Sequence, residues 1–266
     1  MANILDMPVA VVTGGARGIG LAIGRWFLAH GHRIVLLDID AQTLAKTGSE
    51  LVDPQRVLPI VCDVRDPAQV DAAIEQVADV FGRIDALVNN AGVAVFKPIA
   101  EVSYDEFRNV MATNLDGAFL CTQACAKLMR RNENGGSVVN VASISGLRAS
   151  TLRIAYGTSK AALIALTKQQ AVELGNEGIR VNAIAPGPVE TEMAKLVHSV
   201  AIRSDYYDAI PLNRYGTTEE MAEAVGFLCS PAASFVNGQV LAVDGGFDAA
   251  GVGLPTLRRQ AQPDQQ

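Results

Sequence analysis

The chain has 266 residues, 49% of them apolar and 19% charged, with a formal charge of −6 at pH 7. That length and balance suit a large α/β domain with a well-buried core and exclude a disordered or fibrous chain. The acidic balance and the lack of any Lys/Arg run give no electrostatic footprint for nucleic acid, and no stretch of about 18 apolar residues is present to cross a bilayer. The first ten residues lack the charged and long apolar regions of a secretory signal, so a cytoplasmic protein is expected.

Residues 9–20 (VAVVTGGARGIG) begin as an apolar run that leads into Thr13-Gly14, with Gly18 and Gly20 opening an apolar-periodic segment. This pattern predicts a buried strand, a tight glycine turn and a helix start. Glycine lets the backbone come close to a diphosphate, and the free N–H groups of a helix N-terminus attract its charge. Such a turn is common after strands, so its meaning depends on the rest of the chain. Helical periodicity follows over 19–30, with Gly31 as its stop, and a short apolar strand over 34–37 ends at Asp38. An acid about 20 residues beyond the glycines is where a dinucleotide fold uses a carboxylate to bind the adenosine ribose hydroxyls.

A helix is predicted over 41–51, a third strand over 57–61 ending in Cys62-Asp63-Val64, and a helix over 67–81 with Pro67 in its first turn. A fourth strand, 86–88, runs into Asn89-Asn90-Ala91-Gly92. A long helical segment covers roughly 103–131, a polar break follows at 133–136, and a fifth strand, 137–142, ends at Ser143. Residues 155–174 are helical, 179–184 form a sixth strand halted by Pro186-Gly187-Pro188, and 240–243 form a last strand before Asp244-Gly245-Gly246. Strands that alternate with helices and are mostly apolar on both faces predict a single Rossmann-type doubly wound parallel sheet of about seven strands, with helices on both faces. No repeat or linker divides it, so one domain is expected over 1–248. The longer, less regular connection near 191–217 is expected to be a substrate loop. The Gly-, Gln- and Pro-rich tail, 249–266, is expected to be flexible or in subunit contacts. The four cysteines form no C-x-x-C pair and the histidines are few and scattered; buried free thiols and no metal site are expected.

Tyr156 and Lys160 stand i, i+4 on one predicted helix and so share a face. A phenol titrates near pH 10, about three units too high for a base at neutral pH. A neighbouring ammonium is expected to lower that value into the range of general acid–base work. The pair alone is as well explained by a wet helix face. Ser143 adds a third group at the carboxyl end of a central strand, the edge of a parallel sheet where ligands bind, placed to donate to a substrate carbonyl. A nucleophilic role for Ser143 is disfavoured, since it lies in no G-x-S-x-G elbow and none of His30, His32 and His198 is placed as its base.

In these residues the chain resembles the short-chain dehydrogenase/reductase family, from about residue 8 to 246. Thr13-Gly14-x-x-x-Gly18-x-Gly20 matches its cofactor turn, and Asn89-Asn90-Ala91-Gly92 its N-N-A-G segment. Asn114 in Thr113-Asn114-Leu115-Asp116-Gly117 matches its helix asparagine, Ser143 and Tyr156-x-x-x-Lys160 its catalytic groups, and Pro186-Gly187-Pro188-Val189-Glu190-Thr191 its P-G-x-x-x-T. The resemblance implies hydride transfer between a nicotinamide dinucleotide and a carbonyl or alcohol, with Asn114, Ser143, Tyr156 and Lys160 catalytic. It implies that Lys160 binds the nicotinamide ribose and that Asn114 holds a water in a proton relay from Lys160, although an Asn alone is more simply a helix-bending or capping residue. Cofactor contacts are implied for Gly14, Arg17, Gly18, Ile19, Gly20, Asp38 and Ile39, for Asp63 and Val64 at the adenine, and for Asn90, Ala91 and Gly92 at the ribose. Pro186, Gly187, Val189 and Thr191 are implied near the carboxamide, beside Tyr156 and Lys160. Family members are commonly tetramers, so a homotetramer with the two long helices at an interface is implied.

Asp38 would repel a 2′-phosphate and accept from a 2′-hydroxyl, whereas Arg17 pulls toward the phosphorylated cofactor; NAD(H) is expected and NADP disfavoured. Ser145, Arg148 and Arg153, together with residues 94–96 and the 191–217 segment, are the candidates for the substrate pocket. The arginines suit an anionic group or a polyol, or else are solvated or in subunit contacts. The expected reaction interconverts a secondary alcohol (a polyol, sugar or hydroxy compound) and its carbonyl. The alternatives are a 3-oxoacyl-thioester reductase acting on acyl carrier protein, and a catalytically silent dinucleotide sensor or scaffold, which would be free to lose Ser143, Tyr156 or Lys160.

Overall fold

Residues 4–51, 53–251 and 253–260 are described by a computed structural model of the chain. In chain order the main elements are β1 (Val9–Thr13), α1 (Gly18–Ala29), β2 (Arg33–Asp38), α2 (Ala41–Glu50), β3 (Val57–Val61), α3 (Pro67–Phe81), β4 (Ala86–Asn89), α4 (Tyr104–Met111), α5 (Gly117–Met129) and β5 (Gly136–Val141). They continue with α6 (Ile144–Leu147), α7 (Ile154–Gly175), β6 (Ile179–Pro186), α8 (Glu192–Val197), α9 (Val200–Ala209), α10 (Thr218–Cys229), β7 (Val240–Val243) and α11 (Pro255–Gln260). The seven strands form one sheet in the order β3-β2-β1-β4-β5-β6-β7, every neighbour parallel.

The apolar runs form strands because both faces of the sheet are covered. On one face Val11, Val35, Leu87, Val138 and Val181 pack with Val70, Ile74 and Val77 of α3, Cys121, Cys125 and Met129 of α5, and Ala171 of α7. On the other, Val12, Leu36, Val88 and Val139 pack with Ile23 and Phe27 of α1, Leu44 of α2, and Met221 and Val225 of α10. This is the doubly wound arrangement expected from the sequence. The strand order reverses between β1 and β4, and in open α/β sheets the crevice outside the carboxyl ends at that point is the ligand site.

Several segments differ from the sequence expectation. The long helix over 103–131 is interrupted: α4 and α5 are joined by one π-helical turn, Ala112–Asp116, centred on Asn114. Such turns widen the backbone ring and occur often at functional sites. The 191–217 connection folds into α8 and α9. Helix α10 was not anticipated, although its start carries a T-x-x-E signal: the Thr217 hydroxyl accepts from Glu220 N–H (3.1 Å) and the Glu220 carboxylate from Thr217 N–H (2.8 Å). In the tail, 255–260 form α11, and residues 261–266 lie outside the described residues. The four cysteines are free, and burial holds their thiols above the ordinary range, Cys62 at about 11 and Cys229 at about 12. Among the described residues there is no group of metal-ligating side chains, and no helix is long and apolar enough to cross a membrane.

Candidate active site

The glycine turn after β1 is built for close approach. Gly14 has φ +61°, and a Cβ there would stand 2.9 Å from the Ala91 Cα; a Cβ on Gly20 would stand 2.1 Å from the Gly14 carbonyl oxygen. Neither position accepts a side chain without moving backbone. The turn is fastened to the end of β4 from both sides. The Thr13 hydroxyl accepts from Asn90 and Ala91 N–H (both 3.0 Å), and the Asn90 side-chain amide donates to the Thr13 and Gly14 carbonyls (both 3.0 Å). At the end of β2, Asp38 is 8% exposed, and its carboxylate accepts from Ala16 N–H and Asp40 N–H, each at 3.0 Å. A carboxylate has about four acceptor positions, so Asp38 ties the glycine turn to β2 and keeps capacity for further donors. Arg17 pairs with Asp40 (3.2 Å), which also caps α2 through Thr43.

The carboxyl ends of β1 to β6 enclose a cleft of about 550 Å³. Its wall includes Gly14, Arg17, Gly18, Ile19, Asp38, Ile39, Asp63, Val64, Asn90, Ala91 and Gly92 at one end and Ser143, Tyr156, Lys160, Pro186, Gly187, Val189 and Thr191 at the other. Thus the motifs spread over nearly 180 residues of chain meet in one groove. Gly20 lies behind the wall, where its lack of a side chain sets the turn. Asp63 forms a bidentate pair with Arg65 (2.9 and 2.6 Å), which holds its carboxyl below the usual range.

Ser143 follows β5 and caps α6. Its Oγ accepts from Ser145 N–H (3.1 Å), which leaves the hydroxyl proton free to donate, and it shares the cleft wall with Tyr156. Lys160, one turn below Tyr156 on α7, is 3% exposed; its Nζ donates to the Val141 carbonyl (2.7 Å) and lies 5.7 Å from the Tyr156 ring centre. Burial lowers the Lys160 pKa to about 8. The expected lowering of Tyr156 by this ammonium is not found. Burial raises the phenol above its ordinary value and outweighs the neighbouring Ser143 hydroxyl and the positive charge of Arg153, which both pull it down. Spacing on a helix placed the ammonium on the same face, but desolvation of the hydroxyl is the larger effect.

Asn114 is buried and stands just behind the cleft. Its amide donates to the Val93 carbonyl (3.0 Å) and the Ser159 hydroxyl (2.9 Å), and its carbonyl oxygen accepts from Val93 N–H (2.8 Å). It therefore joins the loop after β4 to α7, beyond the bending role that an isolated Asn suggests. A Cβ on Gly92 would lie 3.4 Å from the Asn114 carbonyl oxygen and 3.6 Å from Lys160 Nζ, so these two groups face one small space.

The three candidate substrate residues separate. Arg153 is on the cleft wall. Ser145 is buried one layer back, between Ser150 Oγ (2.9 Å) and Arg153 (3.4 Å). Arg148 is outside the cleft and donates to the Phe247 carbonyl (2.7 Å), which fastens the C-terminal segment. Wall residues that the sequence did not assign to the site include Arg65, and His198 and Tyr206 in the irregular connection. Only the length of that connection pointed to the last two. His198 Nδ1 is bonded to the Tyr215 hydroxyl (3.0 Å), and burial lowers its pKa.

Comparison with known proteins gives the family. A family model described as Enoyl-(Acyl carrier protein) reductase matches residues 14–248. The chain is 39% identical over 244 residues to D-threitol dehydrogenase of Mycolicibacterium smegmatis, covering 91% of this chain and 94% of that one. It is 38% identical over 243 residues to a 3-oxoacyl-[acyl-carrier-protein] reductase of Thermotoga maritima, covering 91% and 98%. Among solved structures, a gluconate 5-dehydrogenase from Burkholderia cenocepacia in complex with NADP and tartrate superposes with a TM-score of 0.86 at 35% identity, covering 93% of this chain and all of that one. The chain belongs to the short-chain dehydrogenase/reductase family and is an oxidoreductase of small molecules.

Proposed function

We propose that the protein is an NAD(H)-dependent oxidoreductase that interconverts a secondary alcohol, of polyol, sugar or hydroxy-compound type, and the matching carbonyl, with Tyr156 as general acid and base. The observation that carries this reading is that Ser143, Tyr156 and Lys160 share the wall of a cleft whose far end is the buried Asp38. The residues present fit a nicotinamide dinucleotide. The Gly14–Gly20 turn offers a side-chain-free approach and a helix N-terminus for the diphosphate, and Asp38 offers acceptors for the adenosine ribose hydroxyls. When bound, the nicotinamide ring supplies or accepts the hydride, and in its oxidised form brings a positive charge.

In the reducing direction Ser143 donates its free proton to the substrate carbonyl oxygen and Tyr156 delivers the proton that completes the alcohol. Its raised pKa keeps that proton in place at neutral pH until it is needed. In the oxidising direction the charge of Arg153 favours the phenolate that takes the alcohol proton. Lys160 uses one of three protons on the Val141 carbonyl and keeps two for the nicotinamide ribose. Asn114 and Lys160 face the space beside Gly92, through which a water relay returns the proton to solvent.

The gluconate 5-dehydrogenase neighbour holds NADP. For this chain, Asp38 opposes a 2′-phosphate by like charge, and the cation that would favour one, Arg17, is held by Asp40. The same argument counts against a 3-oxoacyl-thioester reductase. A silent sensor would have no need of Ser143, Tyr156 and Lys160 together.

The test is a panel of alcohols, polyols and aldoses, with NADH formation followed by absorbance. Initial rates with NAD are expected to exceed those with NADP at equal concentration, and the reverse order would overturn the cofactor reading. Tyr156→Phe should lower turnover by at least about 10²-fold while NADH affinity is unchanged. An unchanged rate would overturn the catalytic role.

A further inference from the structure

Three arginines lie on the cleft wall, and two of them are matched by carboxylates: Arg17 by Asp40 (3.2 Å) and Arg65 by Asp63 (2.6 Å). Behind the wall, Arg203 is likewise matched by Glu190 (2.6 Å). Arg153 is the exception. Among the described residues no carboxylate pairs with it, and its hydrogen bonds, to Ser145 Oγ and the Tyr206 hydroxyl, are both long at 3.4 Å and both to neutral groups. The one acid on the same wall from α8, Glu192, is paired with Lys195 (3.0 Å) and largely exposed.

The surroundings hold this guanidinium in place. It lies 5.0 Å from the Phe96 ring centre and 6.0 Å from that of Tyr156. Phe96 comes from the loop after β4, Tyr206 from α9, and Arg153 is the N-cap residue just before α7, three positions before the proton donor. An arginine offers five donors in a planar fork that matches an oxyanion bidentately, and a partly buried one without an anion leaves most of them unused.

Resting on the catalytic reading above, we propose that Arg153 is a substrate-binding residue and that the substrate is an alcohol or ketone bearing an oxyanion group, a carboxylate foremost, a short spacer away from the reacting carbon. The anion sits on the guanidinium edge with the Tyr206 hydroxyl as a further donor. The reacting oxygen then reaches Ser143 and Tyr156. A neutral analogue leaves the guanidinium without its partner, so the site selects acids over their amides.

The experiment uses the protein saturated with NADH, titrated calorimetrically with lactate, 3-hydroxybutyrate and 4-hydroxypentanoate and with the amide of each. These ternary complexes cannot react, so binding is read apart from chemistry. At least one acid is expected to bind about tenfold or more tightly than its amide. Arg153→Met should remove that gap with NADH affinity unchanged, and Arg153→Lys should keep part of it. If no acid outbinds its amide in the wild type, or if the gap survives in Arg153→Met, the proposal is overturned. The wild-type comparison needs no variant and stands even if Arg153→Met folds poorly. A gap in binding with no oxidation by NAD of these acids or of the alcohols, polyols and aldoses of the panel would overturn the catalytic reading and leave the anion site standing. Turnover of neutral alcohols without a gap would do the opposite.

Discussion

Lys160 is 3% exposed, donates to a backbone carbonyl, and has no carboxylate partner among the described residues. Its pKa falls from 10.5 to about 8 because burial disfavours the ammonium. Below pH 8 both folded and unfolded chains hold the proton, and the folded state carries the whole cost of burying the charge, on the order of 3 kcal/mol. Between about pH 8 and 10.5 the unfolded chain binds more protons, so this contribution makes stability rise with pH. The buried thiols and Tyr156, whose pKa values are raised, act in the opposite sense as they titrate in the unfolded chain. The difference between wild type and Lys160→Met isolates the lysine. The stability advantage of Lys160→Met should shrink from pH 7 to pH 10 in urea unfolding, and parallel curves would show that the ammonium is not the group being penalised. Asn114 belongs to the same scale, since its side chain has every polar atom engaged with Val93 and Ser159.

At the scale of elements, α1 packs on α10 where Trp26 lies over Gly226. A Cβ on Gly226 would stand 2.3 to 2.5 Å from three ring atoms of Trp26. Alanine in place of glycine inside a helix is worth about 1 kcal/mol, but overpacking against a core indole costs about 1–3 kcal/mol. Gly226→Ala should therefore destabilise the protein by up to roughly 2 kcal/mol, read from the urea midpoint. In a Trp26→Leu background the same change should become neutral or stabilising, because only the propensity gain remains. A loss of equal size in both backgrounds would rule the indole out as the cause. The π turn at Ala112–Asp116 works at this scale too: it interrupts an otherwise regular helix where Asn114 must reach both the β4 loop and α7.

Across the whole molecule the cleft is walled by the ends of six strands, so a ligand that fills it couples β2 on one side to β6 on the other. Binding to the folded state alone stabilises it by about 2.7 kcal/mol at a hundredfold excess over Kd, which for a domain of this size raises Tm by several degrees. NADH is expected to give that rise in scanning calorimetry and NADPH at equal concentration a smaller one; a larger shift with NADPH would show that Asp38 does not exclude the 2′-phosphate. The parallel sheet, the glycine turn, Asp38 and the Ser143, Tyr156 and Lys160 constellation were legible in the amino-acid sequence, because strand burial on two faces, glycine spacing and helix periodicity are local patterns. Helix α10 was missed although its T-x-x-E capping signal is local. What the sequence left open was decided by contacts between residues far apart in the chain. Arg148 and Arg153 are five positions apart and looked alike, yet one reaches Phe247 and leaves the cleft while the other stands beside Phe96 and Tyr206. Helix spacing put Lys160 beside Tyr156, but the direction of the tyrosine's pKa depends on how much water the folded protein removes from its hydroxyl, and only the tertiary structure determines that.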